Sequence, residues 1–167
     1  APVPHATALS AASAAGVVAR GGDIIENIAS ANLVLLDKTG TLTSGTPRIH
    51  SIETIRGIDD KTALSIAAAL ERRSNHPYAE TIRKEAIEMS LETKVAREIA
   101  DGEAGVSGII DSVRAAFGSP AWIKKQGFRP NSRLEEIAKN ASKNGLGCSL
   151  LSYEGRVIAL FTFINDD

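Results

Sequence analysis

Little in this chain can be cross-linked and little can stack. Its 167 residues include one cysteine, Cys148, which excludes an internal disulfide and makes a reducing compartment the default expectation. There is no Cys-x-x-Cys pair, and His5, His50 and His76 lie far apart, so the ligand spacing of a zinc site is missing. Aromatic residues make up 4% of the chain, so the core has to be built from Ala, Ile, Leu and Val. An excess of one charge is missing too. Nineteen basic residues face twenty acidic ones, for a net charge of −1, which argues against a nucleic-acid partner. No stretch supplies the about 20 predominantly apolar residues that a complete membrane helix needs. The Ala/Ser-rich opening, residues 1–19, lacks the basic start of a signal peptide. Internal repeats and low-complexity linkers are also absent.

What is present alternates between helix and strand. Residues 6–19 predict a helix that stops at Arg20-Gly21-Gly22, and 24–30 a further helical turn. Leu33-Val34-Leu35-Leu36 is a short continuous apolar run, the pattern of a strand buried on both faces. Residues 48–55 read as a strand with Ile49, Ile52 and Ile55 turned inward. Residues 59–74 predict a helix capped by Asp59 or Asp60, with Ala63, Ile66, Ala67 and Leu70 on one face. A second helix follows over 75–90, with Pro77 in its first turn and Ile82, Ala86 and Met89 as its inner stripe. From residue 94 short β-like runs separated by Gly, Asp and Ser suggest an antiparallel meander. Ser119-Pro120 opens a short helix, Ser132 to Glu135 reads as a capping box, and Glu154-Gly155 reads as the turn of a last hairpin. The expected class is therefore α/β: an α+β module, an antiparallel sheet flanked by helices, inserted between the run at 33–36 and a last strand (157–164) that returns toward the same sheet.

The informative stretch is Leu33 to Gly45, LVLLDKTGTLTSG, in which the apolar run ends on Asp37. Open α/β sheets place their ligands at the carboxyl ends of strands. A carboxylate there can attack a phosphoryl group and become an aspartyl phosphate. Gly40 lets the backbone turn closely, successive N–H groups can cradle phosphoryl oxygens, and Thr41 adds a hydroxyl donor. Mg²⁺ takes oxygen ligands, with Asp37 as one of them.

Asp37 to Thr43, DKTGTLT, resembles the phosphorylation motif of P-type ATPases at all seven positions. The resemblance implies Asp37 as phosphoryl acceptor, Lys38, Thr39 and Thr41 shaping its site, and Asp37 with Thr39 at the Mg²⁺. Phosphatases of the haloacid-dehalogenase type place a second Asp two residues after the nucleophile. Thr39 stands there instead, so water attack on the acyl phosphate loses a contribution of ~10²–10⁴-fold and the phosphoenzyme persists. Ser74-Asn75-His76-Pro77 is similar to the Ser-Glu-His-Pro element of the heavy-metal (copper/zinc) subgroup, with Asn75 in place of Glu. The subgroup also implies glycines under the nucleotide. Gly105 and Gly118 match, whereas Gly102 stands one residue too far from Gly105, with Glu103 at the expected place. Asn75, His76, Pro77, Gly102, Gly105 and Gly118 are thus the expected ATP contacts.

In outline the resemblance divides the chain into 1–22, an extension of a membrane helix; 23–47, the first part of a phosphorylation domain; 48–158, a nucleotide-binding domain; and 159–167, a return strand. It implies a cytosolic domain of an integral membrane protein of the cell membrane, partnered by ATP, by the rest of the same polypeptide and by a transported cation. Val3-Pro4-His5 stands where the subgroup has a Cys-Pro-Cys or Cys-Pro-His element, so the thiolate is missing. Cys148 reads as a small buried residue. Two other readings stay open at this point: a phosphatase or phosphotransferase with a large cap, and a nucleotide sensor that never phosphorylates.

Overall fold

The computed structural model describes residues 3–36, 47–92 and 94–165. The chain divides into two compact units, 1–42 and 43–167.

The first unit carries α1 (Val3–Ala14) and α2 (Gly22–Ala29). α1 stops earlier than the sequence suggests because Gly16, at φ +81°, ends it: Val17 N–H bonds Ala12 O at 2.9 Å and Gly16 N–H bonds Ser13 O at 3.0 Å. This is the paired closure that a left-handed residue permits after a helix. His5 Nε2 and Glu26 Oε1 lie 2.6 Å apart, so this histidine is engaged by a carboxylate of α2. The run Leu33–Leu36 departs from expectation. It forms no strand, and its four side chains are between 60% and 87% exposed. A strand buried on both faces needs a neighbour on each side, and the described residues of this unit include no strand.

The second unit is one six-stranded antiparallel sheet. Its elements run β1 (Pro47–Thr54), α3 (Asp60–Leu70), α4 (Pro77–Glu88), β2 (Ala96–Gly102), β3 (Gly105–Ile110), β4 (Val113–Gly118), α5 (Pro120–Lys125), α6 (Ser132–Lys143), β5 (Gly147–Tyr153) and β6 (Arg156–Asn165). The strand order is β1-β6-β5-β4-β3-β2. The last strand, β6, pairs along its length with β1 and β5. Ile49 and Ile52 both pack on the core although they are three residues apart, because a bulge between Ile49 and Ser51 shifts the alternation.

Each face of the sheet has its own core. Val106, Phe117, Leu151, Phe161 and Phe163 meet α3 and α4 on one side, whereas Ala116, Leu150, Val157 and Leu160 meet Ile123, Leu134 and Ala138 on the other. α3 is buried on all sides from Ala63 to Leu70, so small alanines let it fit closely between sheet and α4. Asp59 caps it, accepting from Thr62 N–H at 2.6 Å. Two details differ from the sequence reading. Met89 is the C-cap of α4 and 43% exposed, so the inner stripe ends at Ala86. The cap of α6 is Asn131, whose Oδ1 accepts from Leu134 N–H at 2.9 Å, and Glu135 pairs with Lys124 instead of closing a box with Ser132.

Candidate functional site

Where α3 ends, the chain makes a 3-10 turn over Glu71–Arg73 and enters α4 through Ser74, Asn75 and His76. His76 precedes proline, which holds it in extended backbone (φ −66°, ψ 139°), and it caps α4 by accepting Tyr78 N–H on Nδ1 at 3.2 Å. With Nδ1 used as an acceptor, the ring proton sits on Nε2, which is left to donate. Ser74 Oγ accepts His76 N–H at 3.2 Å and fixes the same corner. Beneath it, the His76 ring meets Tyr78 edge-on at 4.9 Å, and Tyr78 stacks flat on Phe163 at 4.0 Å.

This corner forms one wall of a cleft of about 420 Å³. The β2–β3 hairpin and the end of β4 form the other wall, with the side chains of Val106 and Phe117 among the lining. Asn75, His76, Gly102, Gly105 and Gly118, expected together from sequence, are brought together here. Pro77 is not part of the lining; its place is the first turn of α4. Asp37, Lys38, Thr39 and Thr41 lie outside the described residues.

The glycines have a structural cause of their own. Gly105 and Gly118 are partners across β3 and β4. A Cβ on Gly105 would stand 2.4 Å from the Trp122 ring, and one on Gly102 would stand 2.7 Å from Trp122 Nε1. Trp122 belongs to the α5 and α6 side, whereas Val106 and Phe117 point to the other face and line the cleft. The side-chain positions of these glycines are thus filled from behind by the single tryptophan, and only their backbone faces the cleft.

Sequence reasoning missed Glu71. It is 7% exposed, it lines the cleft, and its Oε2 has no hydrogen-bond partner among the described residues. Burial raises its pKa above the ordinary carboxylate value; Asp101 adds to the rise, while the Ser74 hydrogen bond and Arg83 oppose it. The available signal was position: Glu71 directly follows a helix that is apolar all round. Arg73, Asp101 and Glu103 are further charged residues of the lining that the motif did not indicate.

A raised carboxyl pKa has a definite sign for stability. Below the ordinary value of 4.5 the group is protonated folded and unfolded, so its burial costs no ionisation energy. As pH rises through the raised folded pKa, the folded state must hold a desolvated charge and stability falls. Glu71→Gln is therefore expected to raise the melting temperature at neutral pH and to leave it nearly unchanged near pH ~4. Thermal melts of both forms at the two pH values check this.

Comparison with known proteins bears on the family and the fold. Residues 31–166 match the haloacid dehalogenase-like hydrolase family. The copper-transporting ATPase PAA2 of Arabidopsis thaliana is 32% identical over 151 residues, which is 84% of this chain and 17% of that protein. A zinc-transporting PIB-type ATPase in the E2.Pi state superposes with a TM-score of 0.68 at 25% identity, covering 95% of this chain and 25% of that one. The N-domain of HMA8, a copper-transporting P-type ATPase, shares the fold at a TM-score of 0.56 and 24% identity, over 68% of this chain and 97% of that domain. This chain therefore spans about a sixth of its Arabidopsis relative's length. With one family running from just before Asp37 to the end of β6, the chain belongs to the haloacid dehalogenase-like hydrolases.

Proposed function

We propose that this chain is the ATP-binding lobe, with the opening of the phosphorylation domain, of a heavy-metal-transporting P-type ATPase. The observation that carries the reading is the cleft itself. It gathers the His76 corner and the Gly102, Gly105 and Gly118 backbone around a buried carboxylate oxygen that has no partner among the described residues. An adenine fits that donor set. Its exocyclic amine can donate to Glu71 Oε2, its ring has Val106 and Phe117 for apolar contact, and His76 offers Nε2–H at the rim. The cavity also lies within the roughly 300–1,000 Å³ of small-molecule sites.

The proposed division is 23–47 for the opening of the phosphorylation domain, 48–158 for the nucleotide-binding domain and 159–167 for the return. Residues 1–22 would extend a membrane helix. No helix among the described residues is long and apolar enough to cross a membrane. In this reading the chain lies on the cytosolic side, joined to the rest of its polypeptide. Asp37 and Thr39 would hold Mg²⁺, which when bound supplies positive charge at the phosphoryl oxygens. Asp37 attacks the terminal phosphoryl group, the bond to the nucleoside diphosphate breaks, and the aspartyl phosphate remains until water cleaves it. The similar proteins include a copper and a zinc transporter, so the cation proposed here is a heavy metal without further choice.

Binding is expected to be weak, because the lining carries three acids, Glu71, Asp101 and Glu103, and one arginine, Arg73. A Kd near ~0.1–1 mM corresponds to about −4 to −5.5 kcal/mol. Titrating ATP into the isotopically labelled chain should shift amides of residues 71–78 and 102–106 with that affinity. His76→Ala should lose ~1–3 kcal/mol, the scale of one ring face against a base. Shifts confined to other surfaces, or nanomolar affinity, would place the nucleotide elsewhere.

A further inference from the structure

Behind the cleft, and outside its lining, Arg83 projects from α4. Its Nη1 donates to the carbonyl oxygens of Glu71 at 2.5 Å and Ser74 at 2.9 Å. These two carbonyls bracket the 3-10 turn that ends α3. A helix end leaves carbonyls without partners and gathers negative partial charge there. A guanidinium at that spot answers both needs from another helix. The stretch it grips supplies Glu71, Arg73, Ser74, Asn75 and His76 to the cleft wall.

We propose that Arg83 is the positioning residue of the nucleotide cleft, holding the Glu71–His76 segment in the shape that meets the base through its bonds to the Glu71 and Ser74 carbonyls. This inference rests on the nucleotide reading above. Arg83 touches no ligand on this account; it acts through Glu71. The charged groups facing Glu71 are Arg83 from α4, which favours its ionised form, and Asp101 from β2, which disfavours it. Arg73, Glu103 and His76 line the same cleft. Without Arg83, two carbonyls at the end of α3 lose a donor, the turn is free to open, and the Glu71 carboxyl loses its cationic neighbour. Lysine at this position would keep the charge as a compact, strongly hydrated ammonium and lose the planar fork.

The test uses the whole 167-residue chain with Arg83→Met, which keeps an unbranched stem, and Arg83→Lys. ATP binding should weaken about tenfold in Arg83→Met, ~1.4 kcal/mol. In the same variant, without nucleotide, the Glu71 side-chain carboxyl should titrate at higher pH by carbon-detected NMR. Arg83→Lys should restore the Glu71 titration more fully than the affinity. A merely structural role would lower the melting temperature and leave the Glu71 titration where it is. Wild-type affinity in Arg83→Met, or lost affinity with an unmoved Glu71, overturns the proposal. If Arg83→Met does not fold, Arg83→Lys decides by affinity: binding equal to wild type overturns the proposal, and weaker binding in a folded chain supports it. If the unaltered chain shows no ATP-dependent shifts at residues 71–78, the nucleotide reading itself fails and takes this inference with it.

Discussion

Asp37→Asn is expected to abolish acid-stable labelling by terminally labelled ATP in the longer polypeptide to which we assign this chain. An asparagine amide is nearly isosteric with the carboxylate, but it offers no anionic oxygen to attack phosphorus and cannot form an acyl phosphate. Loss of a nucleophile in a covalent mechanism costs on the order of 10⁶ in rate, which leaves no label above background. ATP affinity of the lobe should be unchanged, because Asp37 belongs to the motif DKTGTLT and the cleft is built from residues 71–149. Labelling that survives in Asp37→Asn would move the acceptor elsewhere. The same preparation separates the reading from its nearest alternative. Family membership alone also admits a phosphatase, and substantial turnover of a generic aryl phosphate would favour that. Thr39, standing where a second carboxylate would act as general acid and base, predicts little turnover.

The second large effect is expected for Gly118→Val, on stability rather than chemistry. A Cβ at Gly118 would stand 2.5 Å from Gly105 Cα and 2.6 Å from the Ala104 carbonyl oxygen. Both contacts are with backbone, and the Trp122 ring follows at 2.9 Å. No rotation of a flexible side chain relieves such a clash, so β3 and β4 have to separate or slide. Overpacking of this kind costs ~1–3 kcal/mol. Each 1 kcal/mol is worth roughly 2–8 °C for domains of this size range, so a drop of ~10 °C in melting temperature is the expected scale. Trp122 packs on the back of the same glycines and is the chain's single tryptophan, so its fluorescence reports the disturbance directly. A melting temperature equal to wild type would mean that the two strands tolerate a side chain between them.

The parts of the fold that could be read from sequence are those fixed by local chemistry. Asp59 as a cap, Pro77 in a first turn, Ser119 before Pro120 and the Glu154-Gly155 turn each depend on a few adjacent residues, and each stands as expected. The misreadings share a dependence on distant partners. Leu33–Leu36 has the composition of a buried strand, but composition does not supply a neighbouring strand. The Ser132–Glu135 box failed because Asn131 caps equally well and Lys124, on another helix, claims Glu135. The site divided along the same line. His76, Asn75 and the glycines sit in short motifs that group them in sequence, and the fold brings them to one cleft. Glu71 and Arg83 were not, since the significance of each lies in a contact between α3's end and α4. Trp122 gave no signal at all: nothing in sequence ties it to glycines at 102, 105 and 118.

The strand order has a consequence for how the lobe is made. β6 lies between β1 and β5, so β1, the first described strand of the sheet, finds its only described partner in β6. Pro47 pairs with Asn165, a loop of more than a hundred residues that must close before β1 has any ladder at all. During synthesis β2, β3 and β4 can pair through short hairpins and β5 can join β4 across the α5–α6 connection, while β1 waits with its backbone groups solvated. Completion of the sheet is thus the slow, late step, and it locks in place the Phe163 ring on which Tyr78 rests.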